Sequence, residues 1–117
     1  MNYTPGLHVL AEISTDATHL LADYAPLRQF YAERIGAYGL QAVGEVFHPF
    51  EGGGFTGVIC LTESHLAVHT WPEFGLLTFD VYLSNFRRVN DGKARHLLED
   101  TLSFFKATRY TSHEVRR

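Results

Sequence analysis

Residues 55–83 hold three extended segments almost end to end, and the shortness of their connections constrains the fold more than anything else in the chain. Residues 55–70 (FTGVICLTESHLAVHT) are rich in β-branched residues, show no helical stripe and break near Glu63-Ser64. Pro72 ends the second segment or places it at an edge, because proline cannot donate to a ladder. Residues 76–83 (LLTFDVYL) form a third strand. Parallel neighbours need a crossover of about a dozen residues, so strands this close together pair antiparallel. Residues 7–14, 40–48 and 107–115 read as further strands, and Glu51-Gly52-Gly53-Gly54 as a loop too glycine-rich for an element interior. Two amphipathic helices complete the pattern. One spans 25–38, with Leu27, Phe30, Tyr31 and Ile35 on one face and Pro26 in the first turn. The other spans 91–106, with Leu97, Leu98, Leu102 and Phe105 on one face and Asp91 as N-cap. Residues 15–24 read as a polar connection with a short apolar stretch. The expected fold is α+β: a two-layer sandwich with an antiparallel sheet and two helices on one face. The other face is left to a partner, so a homodimer is expected.

Composition narrows the function classes. A chain of 117 residues, 45% hydrophobic, fits one domain (1–117) with a real core. A formal net charge of -3 argues against a nucleic-acid partner. No apolar run approaches the ~20 residues that span a bilayer, so no membrane partner is expected. The single Cys60 makes no internal disulfide and no zinc ribbon. These features describe a soluble, cytoplasmic domain.

The chemistry concentrates in Thr62–Glu73, which holds two histidines, two carboxylates, three hydroxyls and the only tryptophan. Three accounts are open. His65 and His69 can be satisfied strand histidines, with Trp71 a core or interface aromatic. They can be metal ligands, but on a strand they lie ~13 Å apart at ~3.3 Å per residue, too far for one ion. Or the chemistry is covalent at Ser64. No GxSxG elbow supports a hydrolase triad, but a serine hydroxyl can attack the preceding carbonyl, here that of Glu63. The resulting ester eliminates, the chain is cut, and the serine becomes an N-terminal pyruvoyl group.

The string Glu63-Ser64-His65 followed by His69-Thr70-Trp71-Pro72-Glu73 resembles the short, prokaryotic-type S-adenosylmethionine decarboxylases, pyruvoyl enzymes of polyamine (spermidine) biosynthesis. Gly6-x-His8, Glu12, His48-x-Phe50 and Gly54-x-Thr56-Gly57-Val58 extend the likeness over nearly the whole chain. The resemblance implies self-cleavage between Glu63 and Ser64 into 1–63 and 64–117, with Ser64 the precursor of the cofactor. It gives His69 a proton-moving role in processing and Thr56 the hydroxyl that steadies an oxyanion. Phe50 is implied to stack on the substrate's base, Glu73 to hold the ribose hydroxyls, and Leu66 to join them in substrate binding. The pyruvoyl group would condense with the substrate amine and accept the electrons released with carbon dioxide, the part pyridoxal phosphate plays elsewhere. No metal is implied.

One position departs from the family. Twenty residues after the pyruvoyl serine the family commonly has a cysteine that reprotonates the α-carbon; here it is Ser84. A serine hydroxyl is a far weaker acid than a thiol of pKa ~8.5. Cys60, ~13 Å from Ser64 along an extended strand, is a poor substitute. The departure leaves decarboxylation of arginine or ornithine, or a non-catalytic relative, as alternatives to S-adenosylmethionine. His8 and His48 read as structural or site-wall groups, and His19, His96 and His113 as surface residues. Arg87-Arg88 reads as a solvated loop pair, and Arg116-Arg117 as a solubilising tail.

Overall fold

The computed structural model describes residues 2–117. Six strands form one sheet: β1 (Leu7–Thr15), β2 (Ala42–Pro49), β3 (Phe55–Leu61), β4 (Ser64–Trp71), β5 (Leu76–Leu83) and β6 (Ala107–Arg116). The spatial order is β2-β3-β4-β5-β1-β6, and every neighbouring pair is antiparallel. The short connections between β2 and β5 give the expected meander, and β1 and β6 extend it beyond β5.

Strand alternation decides the two faces. Leu7, Val9, Ala11 and Ile13 of β1, Phe55, Ile59 and Leu61 of β3, Leu66 and Val68 of β4, and Leu77, Phe79, Val81 and Leu83 of β5 all point into the core. Helices α2 (Ala25–Ala37) and α3 (Asp91–Phe104) cover that side with Leu27, Tyr31, Ile35, Ala94, Leu97 and Leu98. Each leucine, isoleucine, valine or phenylalanine among them contributes about 1.5–3 kcal/mol on burial. Tyr31 brings a hydroxyl into the same layer and pairs it with Thr101 Oγ1 at 2.7 Å.

The structure corrects the sequence reading at two elements. Residues 15–24 are not merely a connection: Thr18–Ala22 forms a third helix, α1, which buries Leu21. Asp91 is the first residue of α3 rather than its cap; Asn90 precedes it, and Asp91 pairs instead with Arg116.

Two glycines fix the ends of β4 and its neighbours. A Cβ on Gly54 would run into the carbonyl oxygen of Thr70, so only glycine lets the β2–β3 loop close against β4. Gly75 has φ 58° and follows the single 3-10 turn Pro72–Phe74, which redirects the chain from β4 into β5.

Candidate active site

The candidate catalytic residues gather at two places along β4. At its start, the β3–β4 hairpin closes through Thr62 and Glu63, with Leu61 opposite Ser64. Ser84 follows β5 and comes level with this turn. Its backbone N–H donates to Ser64 Oγ at 3.1 Å, and its hydroxyl donates to Glu63 Oε2 at 3.1 Å. Buried Asn90 holds Ser84 by donating Nδ2 to its carbonyl at 2.8 Å. Asn85, also buried, ties the same loop to Pro5 and Asp91. A cavity of about 610 Å³ opens beside the turn, lined by Tyr3, Glu63, Ser84, Asn85, Phe86 and Arg87.

The second group lies toward the other end of β4. Thr56 and His69 are directly opposed across β3 and β4, with Oγ1 and Nδ1 2.9 Å apart. The His69 ring lies 6.3 Å from that of Trp71, and Phe50 meets His48 edge-on at 6.5 Å. Glu73 is exposed on the 3-10 turn just beyond. Two members of the string face the other way. Leu66 is buried in the core, so its side chain points away from the open face. Thr70 is fully buried too; it donates to the Leu21 carbonyl and accepts from the Phe55 N–H.

The family-model comparison places this arrangement. The model described as S-adenosylmethionine decarboxylase matches residues 7–117. The chain belongs to the S-adenosylmethionine decarboxylase family. An S-adenosylmethionine decarboxylase proenzyme of Acetivibrio thermocellus is 35% identical over 112 residues, covering 96% of this chain and 87% of that protein. The proenzyme of Moorella thermoacetica is 35% identical over 113 residues, with 96% and 86% covered. The crystal structure of the Aquifex aeolicus adenosylmethionine decarboxylase superposes with a TM-score of 0.85 at 27% identity, covering 99% of this chain and 92% of that one.

The family's cofactor is made from the chain itself, and the residues here fit it. The serine sits at a two-residue turn whose first residues, Thr62 and Glu63, are exposed, with a backbone donor already on its hydroxyl. Within one chain, however, the set is divided. Ser64 and His69 are five residues apart on an extended strand, about 16 Å at ~3.3 Å per residue, and the odd spacing puts them on opposite faces.

A further cluster on the open face escaped the sequence reading. Asp80 Oδ2 accepts from His8 Nε2 at 2.9 Å and from His65 Nε2 at 3.0 Å. Arg117 Nη1 faces His8 Nδ1 at 3.3 Å, so that nitrogen accepts and Nε2 carries the hydrogen. His8 and His65 both pair with Tyr82 in the ladder, a register that local pattern does not reveal. The Tyr3 hydroxyl beside Tyr82, together with desolvation, pushes that phenol above its ordinary range.

Two further readings change. Arg116 and Arg117 are not a free tail: Arg116 pairs with Asp91, and Arg117 bonds the Gly6 backbone in both directions. Cys60 is not remote along an extended chain, because the hairpin folds it opposite His65. Its side chain falls on the open face, away from Ser64. His19, His96 and His113 are exposed, as the sequence suggested, and His8 is buried. No helix of the described residues is long and apolar enough to cross a membrane.

Proposed function

We propose that this chain cuts itself between Glu63 and Ser64 and that the processed protein decarboxylates S-adenosylmethionine as a homodimer in the cytoplasm. Membership of the decarboxylase family supports the reaction. The observation that carries the reading is the pairing of a turn serine at the start of β4, already hydrogen-bonded at Oγ, with a separate Thr56–His69 couple across β3 and β4. The dimer follows from the division of that set. One chain cannot bring its own His69 to its own Ser64, whereas the open sheet face of a second copy can offer Thr56 and His69 there.

The processing step balances within these groups. Ser64 Oγ bonds to the Glu63 carbonyl carbon, its proton passes to His69 of the second copy, and the Glu63–Ser64 C–N bond breaks as the nitrogen is protonated. Thr56 donates to the oxyanion that forms on the way. Loss of the Ser64 α-proton to a base then breaks the Cβ–Oγ bond, so that Oγ leaves as part of the Glu63 carboxylate. The dehydroalanine tautomerises to an imine, and one water hydrolyses it to the pyruvoyl group and ammonia. The pyruvoyl group supplies an electron sink for decarboxylation. The protein positions the substrate against it. Phe50 offers a face for the base, and Glu73 accepts hydrogen bonds from vicinal ribose hydroxyls. Ser84, at the position where the family commonly has a cysteine, is the group assigned to reprotonation of the α-carbon.

The test is intact mass under denaturing conditions, followed by release of carbon dioxide from carboxyl-labelled substrates. Two chains, 1–63 and 64–117, with release from S-adenosylmethionine, are expected. A single uncut chain, or release from arginine or ornithine alone, overturns the reading.

A further inference from the structure

Ser84 touches both residues of the bond to be cut. We propose that Ser84 is a positioning residue for self-cleavage, gripping Ser64 through its N–H and Glu63 through its hydroxyl. The inference rests on the self-cleavage reading above and assigns a role to the residue in which this chain departs from its family.

Among the described residues, the two contacts to Ser84 are the only side-chain hydrogen bonds made by Glu63 or Ser64. Thr62 and Glu63 are exposed. Without Ser84 nothing but the hairpin itself would order the scissile pair. The grip is rigid on its own side. The Ser84 carbonyl accepts from Asn90 Nδ2, and the Asn90 N–H donates to Asn85 Oδ1 at 2.7 Å. Both asparagines are buried, and Asn85 is fastened in turn to Pro5 and Asp91. An anchor of this kind loses little entropy when it holds a neighbour.

The chemistry needs both arms. Attack on the preceding carbonyl requires Oγ to approach the Glu63 carbon within a narrow range of distance and angle. The Ser84 N–H lies on Oγ, where negative charge builds as the proton leaves, and it stabilises that charge. The Ser84 hydroxyl tethers the Glu63 carboxylate and restricts rotation of the residue that carries the carbonyl. A hydroxyl donates to a carboxylate far better than a thiol does. Serine in the place of cysteine therefore strengthens the hold on the scissile bond while weakening the acid needed later.

The experiment follows the rate of cutting by intact mass on freshly synthesised chain from a cell-free system, so that uncut protein is present at the start. Ser84→Ala keeps the N–H arm and removes the hydroxyl arm; Glu63→Ala removes the same contact from the other end. Each should slow cutting by about tenfold, the worth of one hydrogen bond to a charged group. The double variant should be no slower than either single one, because both remove one interaction. Glu63→Gln, whose amide oxygen still accepts but carries no charge, should cut at a rate between that of Glu63→Ala and that of the original chain. Ser84→Ala cutting at the original rate, or a double variant slowed by the product of the single effects, overturns the proposal. So does slowing that comes with loss of a cooperative melt, which marks a folding defect. If the unmodified chain never cuts, the self-cleavage reading itself falls. If it cuts and Ser84→Ala cuts as fast, only the present inference falls.

Discussion

Two inactive variants should repair each other if, as proposed, each chain supplies a different half of the site. Ser64→Ala removes the nucleophile but keeps Thr56 and His69. His69→Ala keeps the nucleophile but removes the group that takes its proton. The half-sites lie on opposite faces of β4, about 16 Å apart along the strand, so neither chain can complete itself. When equal amounts are expressed together and pair at random, a His69→Ala chain meets a Ser64→Ala partner about half the time. In that mixed dimer its Ser64 faces an intact His69, so about half of the His69→Ala chains should be cut. The other composite site in the same dimer lacks both groups. Only about a quarter of all sites then carry the cofactor, and decarboxylation should settle near a quarter of the unmodified level. Intact mass distinguishes the two chains and counts the cut fraction directly. His69→Ala alone should stay whole. If co-expression leaves it whole as well, the site does not form between copies. If it cuts fully on its own, His69 is not the group that moves the proton.

The remaining predictions bear on turnover, stability and pH. Ser84→Cys should raise decarboxylation per cut chain, measured as carbon dioxide released, because a thiol is a usable acid near neutrality; no gain means the α-carbon takes its proton from elsewhere. Tyr31→Phe should cost about 1 kcal/mol and lower the melting temperature by a few degrees, since it removes the buried bond that Tyr31 donates to Thr101 Oγ1, whose own hydrogen goes to the Leu97 carbonyl. The Asp91 carboxyl is held below its usual value, first by hydrogen bonding to Arg116 and then by Asn85. Its stabilising contribution is therefore complete above the ordinary carboxyl value of 3.8 and disappears as pH falls through the lower folded value. Asp91→Asn should lower stability at neutral pH and flatten the acid limb of a denaturation series; an unchanged acid limb refutes that assignment.

The sheet was legible because its signals are local. Connection lengths in 55–83 forced antiparallel pairing, and period-two patterns set the strands to within a few residues. Helix α1 was missed because five residues give too little period to detect, and Thr18–Ala22 is held from outside, by the Thr70 hydroxyl on the Leu21 carbonyl. The same bond gives Thr70 a structural place. A hydroxyl within a catalytic-looking string turned out to be a core group bridging α1, β3 and β4. The Asp80 cluster and the Asn85–Asn90 loop were invisible for a related reason. Each depends on partners five to more than seventy residues away, whose register a single sequence does not specify.

The division of the site could nevertheless have been read from residue numbers alone. Once 64–71 is a strand, Ser64 shares a face with Leu66, Val68 and Thr70, and the other face carries His65, Ala67, His69 and Trp71. Three of the first four are apolar or buried against helices, so the face that carries His69 must look outward. A histidine that serves the serine of its own chain would need an even spacing and a shorter one. Odd spacing over five residues separates the two groups within one chain and fits the proposed sharing of the site between copies. The serine need not face outward like His69, because it sits at the turn where β4 begins, and there a partner's open face and the loop carrying Ser84 can reach it from different sides.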